Sequence, residues 1–291
     1  MPRLTSEAAA VLDCGGRLLD LSCTQVMGVL NTTPDSFSDG GTLHVAGKLD
    51  LSKVLRRVEG MLNAGAAIID IGGESTRPGA EPVSLEQEVS RVLPVVEAIA
   101  ERFDTIISID TSSPELMCAA SAAGAGLLND VRALTSDGAI EAAASTRLPV
   151  CLMHMLGSPK IMQINPSYQD VQKEVASYLL VRADACIEAG ITADRILLDP
   201  GFGFGKSVSH NLQLLNRLPV LTALGYPVLV GLSRKSIIGK VLGREVGERM
   251  AGSLALAVMA VSKGASIIRA HDVAETVDAV RMAQAVMAEH S

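Results

Sequence analysis

One event recurs along this chain and constrains it more than any other feature. A short apolar run ends in a polar side chain and a turn rich in Gly, Ser or Pro, and a helical stretch follows. Apolar runs at 26–30, 67–71, 105–109, 126–128, 149–153, 195–198, 227–232 and 266–268 read as buried strands, because such runs bounded by turn residues suit a sheet covered on both faces. Helices are expected over 49–64, 84–102, from 113 onward, 138–146, 168–189, 211–218, in two segments after 236 (the second 248–263), and over 273–287. Ser84 with Gln87 offers a capping box, and Ser113-Pro114 an N-cap followed by an N1 proline.

Eight strand-then-helix units with no linker between them predict an α/β chain folded as one (β/α)8 barrel. A doubly wound sheet is the rival, but it gathers functional residues at a single switch point. Here a polar residue closes every strand. The unit lengths vary too much for a solenoid. Residues 25–291 are therefore expected to form the barrel. Residues 1–24 form a separate N-terminal segment, whose 11–13 and 17–19 make a hairpin around Cys14-Gly15-Gly16 and pack on the barrel bottom.

Composition limits the rest. The chain is 48% hydrophobic but only 2% aromatic, without Trp, so the core must be aliphatic. A net charge of −7 argues against nucleic acid and anionic membranes as partners. Five cysteines without a C-x-x-C pair argue against a disulfide framework or zinc site and for a reducing cytoplasm. No signal-peptide core or membrane-length apolar run is present.

In a barrel the carboxyl ends of the strands converge on one mouth. Those ends carry Asn31, Thr76, Asp110, Asn129, Met153, Asp199, Lys235, Arg269 and His271. Each has a plain alternative: an acid or amide after a strand caps helices or forms turns, Lys235 begins a helix, and Arg269 pairs with Asp272. Taken together, acids and an amide from three strands with one lysine suit the edge of a flat heterocycle that donates and accepts. Arg269 and His271 beside Ser233 and Lys235 make the cationic cluster that an anion needs in an acidic protein. The long loops after the first two strands, carrying Phe37 and Arg77, read as lids. The glycine-rich stretch 201–206 misses both common phosphate-loop templates.

These motifs resemble the bacterial dihydropteroate synthase family over nearly everything from Gln25 onward. The likeness rests on 31–41 (NTTPDSFSDGG), 72–79 (GGESTRPG), Ser108-Ile109-Asp110, Asn129-Asp130, 198–204 (LDPGFGF), Ser233-Arg234-Lys235-Ser236 and Arg269-Ala270-His271-Asp272. It implies a pterin-binding barrel that condenses 7,8-dihydropterin-6-ylmethyl diphosphate with 4-aminobenzoate, using Mg2+, as a sulfonamide-sensitive homodimer. By resemblance Asp110, Asn129, Val131, Met153, Asp199, Gly231, Lys235 and Arg269 take the pterin. Asn31, Thr76, Arg269 and His271 take the diphosphate, and Asn31 the metal. Phe37, Thr76, Arg77, Pro78, Phe204, Lys235 and Ser236 form the aminobenzoate slot. Asp35, Asp110, Lys235 and Arg269 are the implied catalytic group. The family usually has an apolar β-branched residue where Thr32 stands. Two rivals remain: a methyltetrahydrofolate methyltransferase, which needs no diphosphate clamp, and a non-catalytic pterin-binding paralogue.

Overall fold

The computed structural model describes residues 11–33, 43–45, 48–75, 83–157 and 162–289. Strands β1 (Val11–Cys14) and β2 (Arg17–Asp20) pair as an antiparallel hairpin. Its turn places Gly15 and Gly16 at φ +67° and +90°, a two-residue connection open to glycine at both positions. In chain order follow β3 (Gln25–Asn31), the two-residue strands β4 (His44–Val45) and β5 (Lys48–Leu49), α1 (Leu51–Asn63), β6 (Ile68–Gly72) and α2 (Leu85–Arg102). Then come β7 (Ile106–Asp110), α3 (Pro114–Ala122), β8 (Leu127–Asp130), α4 (Ala139–Thr146), β9 (Val150–Met153) and α5 (Val171–Glu188). The chain continues through β10 (Ile196–Asp199), α6 (Val208–Asn216), α7 (Pro219–Thr222), β11 (Leu229–Gly231), α8 (Ser236–Leu242), α9 (Met250–Ser262), β12 (Ile267–Ala270) and α10 (Val273–Ala288).

Eight strands pair in parallel in the order β10-β9-β8-β7-β6-β3-β12-β11. The two ends of that sheet meet through a parallel bridge, Leu198 with Val228, and the Leu198 N–H donates to Pro227 O at 2.9 Å. This is the expected (β/α)8 barrel.

Local chemistry sets the helix ends. Asp50 accepts from the Ser52 and Lys53 N–H groups and starts α1, while Ser84 and Ser113 cap α2 and α3. Helix α6 begins three residues before the expected 211. Ser207 and His210 close a reciprocal capping box, with histidine in the place usually held by Glu or Gln. Pro219 lacks an N–H and separates α6 from the short α7.

Strand alternation divides the apolar residues into two clusters. Outward positions such as Ile69, Ile107, Leu128, Leu152, Leu198 and Val230 pack beneath the helices. Inward positions at the strand starts form one closed layer: Met27, Ile68, Ile106, Leu127, Cys151, Leu197, Leu229 and Ile267, sealed from below by Leu12, Cys14 and Leu19 of the hairpin. The hairpin sits so close that a Cβ on Gly126 would lie 2.6 Å from the Cys14 carbonyl oxygen. Two residues further along each strand, the inward positions become Val29, Asp70, Ser108, Asn129, Met153, Asp199, Gly231 and Arg269. The barrel interior thus turns from hydrocarbon to charge within one layer.

Candidate functional site

At the centre of the mouth lies Asp70, fully buried on β6. Its carboxylate accepts from Ser108 Oγ on β7 at 2.6 Å, from Asn129 Nδ2 on β8 at 3.4 Å, and from Arg269 Nε on β12 at 2.7 Å. Arg269 also donates through Nη2 to Asp110 Oδ2 at 3.0 Å. One guanidinium therefore spans two acids from neighbouring strands. The sequence alternative pairing Arg269 with Asp272 is wrong: Asp272 takes Arg234, through Nε at 2.9 Å and a second bond from Nη2. Asp110 does not cap α3 either, since Ser113 does.

Across the mouth, Asp199 ends β10 and is buried, and its Oδ1 accepts from the Gly201 N–H at 2.7 Å. Lys235 donates to the Phe202 carbonyl and lies 4.4 Å from the centre of the Phe204 ring. The loop between them is tied from beneath. Buried Lys206 donates to Gly201 O and Phe204 O, both at 2.9 Å, and meets His154 Nδ1 at 2.9 Å. Gly201 has φ +66°, and a Cβ there would sit 1.9 Å from His154 O, so only glycine lets the loop fold against β9. His271 Nδ1 lies 3.0 Å from Ser233 Oγ, joining the ends of β11 and β12.

Burial raises the Asp110 pKa, opposed by Arg269, and raises that of Asp199, opposed by Lys235. Burial pushes Lys235 down to about 8, with Asp199 resisting. Burial also works against the Arg269 charge, but Asp70 and Asp110 outweigh it and hold its pKa above the ordinary value. Lys206 is pushed down by burial to about 7, and His154 falls to about 3 through burial and then the nearby Lys206 charge. Such a mouth presents acceptors at Asp110 and Asp199, an amide at Asn129, and two cations that answer them.

The structure therefore brings together Asp110, Asn129, Met153, Asp199, Lys235 and Arg269, with Asp110 beside Asn129, Met153 beside Asp199, and Gly231 beside Arg269 in register. Val131 is buried just beyond β8, and Ser236 is exposed at the first position of α8. Asn31 closes β3, where its Oδ1 lies 3.9 Å from the point a Gly72 Cβ would occupy and Asp110 Oδ2 lies 3.7 Å from it. Arg269 is turned into the barrel toward two acids, whereas His271 is held by Ser233. His271 thus stands beside Ser233 as the sequence suggested, while the Arg269 guanidinium is already paired with two acids. Asp35, Phe37, Thr76, Arg77 and Pro78 lie outside the described residues. Sequence reasoning missed Asp70, Ser108 and the fastening role of Lys206. The signal for Asp70 was an acid at the same alternation parity as Ile68 inside an apolar run.

A parallel barrel whose polar side chains line the carboxyl ends of the strands has the layout of a small-molecule enzyme, and the chain belongs to the pterin binding enzyme family, which matches residues 27–271. It is 54% identical over 272 residues to dihydropteroate synthase of Escherichia coli (strain K12), covering 94% of this chain and 95% of that protein. It is 52% identical to dihydropteroate synthase of Haemophilus influenzae over 274 residues, covering 94% and 98%. Among solved structures, Yersinia pestis dihydropteroate synthase with a sulfonamide drug complex superposes with a TM-score of 0.92 at 50% identity, covering 96% of this chain and 99% of that one. Xanthomonas albilineans dihydropteroate synthase with 4-aminobenzoic acid gives a TM-score of 0.88 at 49% identity, covering 96% and 98%.

Proposed function

We infer that this protein catalyses the dihydropteroate synthase reaction, joining 7,8-dihydropterin-6-ylmethyl diphosphate to 4-aminobenzoate with release of pyrophosphate. The carrying observation is the charged layer at the strand ends: Arg269 bonds Asp110 directly and meets Asn129 through Asp70, and its charge acts on Asp199 and Lys235, in a chain half-identical to such enzymes over almost its whole length. The division into an N-terminal segment (1–24) and a pterin-binding barrel (25–291) belongs to the same reading.

Asp199 and Asp110 accept from the ring N–H and exocyclic amine of the pterin, charge-assisted bonds of about 1.5–3 kcal/mol each. Asn129 and Lys235 complete that edge. Met153 and Val131 line the apolar faces, and Gly231 leaves room beside Arg269. Arg269 lies against the ring and, with His271, Asn31 and Thr76, receives the diphosphate. The C–O bond to the pterin methylene breaks, and its electron pair leaves with the diphosphate. The electron-rich ring carries the positive charge, supported by Asp110 and Asp35. The arylamine nitrogen then bonds to the methylene and releases its proton. A neutral arylamine needs positioning more than a base, which Phe37, Thr76, Arg77, Pro78, Phe204, Lys235 and Ser236 supply. Sulfonamides, as aminobenzoate mimics, would occupy the same slot.

Mg2+ fits this mouth. Asn31 Oδ1 and Asp110 Oδ2 are hard oxygen donors that both lie within 4 Å of the point a Gly72 Cβ would occupy, while no group of three or more His, Cys, Asp or Glu suited to a metal occurs among the described residues. A cation that takes few protein ligands and keeps phosphate oxygens matches that set. Asn31 would hold it, and it would supply charge neutralisation for the leaving diphosphate.

A homodimer is supported by apolar side chains left exposed on adjacent α8, α9 and α10: Val241, Leu242, Met259, Met282, Val286 and Met287. Five free cysteines support a reducing cytoplasm, and no helix among the described residues is long and apolar enough to cross a membrane. The deciding experiment measures pyrophosphate release with each component omitted in turn. Release that needs both substrates and Mg2+ is expected. Binding of the pterin diphosphate without release would instead mark a non-catalytic pterin binder.

A further inference from the structure

Two carboxylates hold Arg269, and they differ in what can reach them. Asp110 keeps 14% of its side chain exposed at the mouth, whereas the Asp70 side chain is wholly inaccessible. We propose that Asp70 is a positioning residue that keeps the Arg269 guanidinium in the mouth while Asp110 exchanges that guanidinium for the pterin ring. The inference rests on the functional reading above.

The geometry supports a division of labour. Asp70 grips Arg269 through Nε, the inner edge of the guanidinium, at 2.7 Å, and this leaves the Nη side directed upward, where Nη2 meets Asp110 at 3.0 Å. Asp70 is itself fixed from two further strands, by Ser108 Oγ at 2.6 Å and Asn129 Nδ2 at 3.4 Å. A substrate can draw Asp110 away, because Asp110 lies at the surface of the site. It cannot draw Asp70 away. If Asp110 were the sole partner, its turning to the pterin would free a long side chain just when the diphosphate needs a fixed donor. Asp70 touches no substrate, so its influence passes through Arg269.

The test is a double-mutant cycle on the full chain with Asp70→Asn, Arg269→Met and the pair, reading steady-state kinetics, inhibition by inorganic pyrophosphate and thermal midpoint. Asp70→Asn should lower kcat/KM for the pterin diphosphate about 10- to 100-fold and weaken pyrophosphate inhibition about tenfold, with the aminobenzoate KM within about twofold. Added to Arg269→Met, it should cost less than about twofold more, because its effect has lost its carrier. The double variant should also melt above Arg269→Met, which strands a buried carboxylate without its cation. Losses that multiply, or an Asp70→Asn enzyme with unchanged kcat/KM, would overturn the proposal. Should Asp70→Asn not fold, Ser108→Ala loosens the same carboxylate. A fall of about threefold that vanishes in the Arg269→Met background is then expected, and a fall that persists there overturns the proposal. If the wild-type chain releases no pyrophosphate from its substrates, the functional reading fails, while pyrophosphate binding still reports on Asp70.

Discussion

The bottom and the mouth of the barrel are built from the same eight strands and the same inward parity, two residues apart. Below, every inward side chain is apolar and the hairpin closes the layer. Above, two acids, an arginine and an asparagine share the same cross-section, with Asp110 two residues further along β7. Burying hydrocarbon stabilises a fold, whereas burying charge costs stability unless every group is paired. The lower layer thus supports the fold, and the upper layer spends part of that stability on pre-set polar groups. The sharpest way to break this contrast is a cavity in the lower layer. Leu197→Ala, at a fully buried position, should cost about 2–5 kcal/mol of unfolding free energy. Its kcat/KM below the melting range should stay near wild type. A loss of activity in fully folded protein would mean that the two layers are not separable.

The converse substitution belongs in the mouth. Asp199→Asn should weaken pterin binding by about 2–3 kcal/mol, measured by titration calorimetry, because it removes the charge of a buried acceptor. Stability should not follow. Burial raises the folded-state pKa of Asp199 above its unfolded value. The folded state then holds the extra proton, and stability falls as pH rises between those two values. Removing the charge lifts that penalty, so the thermal midpoint at pH 7 should be unchanged or higher. A fall of several degrees would show that the acid is a net stabiliser. Next in size is the pH dependence of kcat/KM, which reports the free enzyme. Lys235 sits at about 8, so kcat/KM should decline above that pH, approaching about tenfold per unit. Lys235→Arg, which stays charged, should flatten the decline. A wild-type profile level to pH 9, about one unit beyond that pKa, would exclude Lys235 as a needed cation.

The same contrast explains what could be read from the sequence. Strands were legible because each is a predominantly apolar run closed by a turn, and the hairpin because Gly15-Gly16 marks its reversal. Asp110, Asn129 and Asp199 were legible because each stands where a strand stops. Asp70 was not, since its strand runs on two residues to Gly72 and no turn signal follows it; only the strand pairing places it against Ser108. The partner of Asp272 was equally hidden. Arg234 reaches it from 38 residues away out of a backbone with φ +57°, and nothing local announces either fact. The start of α6 was missed because His210 performs a task usually read from Glu or Gln.

Thr32 tests the upper limit of the functional layer with the smallest effect. It follows Asn31 directly and is fully buried, yet it carries a hydroxyl where the family resemblance leads to the expectation of an apolar β-branched residue. Its Oγ1 donates to Gly72 O at 3.0 Å, and its N–H donates to the same oxygen at 2.9 Å. Thr32→Val would keep the shape, lose one bond and leave the Gly72 carbonyl satisfied by the backbone. No buried acceptor is stranded, so the cost should fall below about 1 kcal/mol in unfolding free energy, the low end for a lost hydrogen bond. The rim carrying Asn31 and Gly72 is held by the β3–β6 ladder up to that pair, so kcat/KM should change by less than about twofold. A tenfold loss would show that the hydroxyl helps to aim Asn31, and would extend the functional layer one residue further up the barrel.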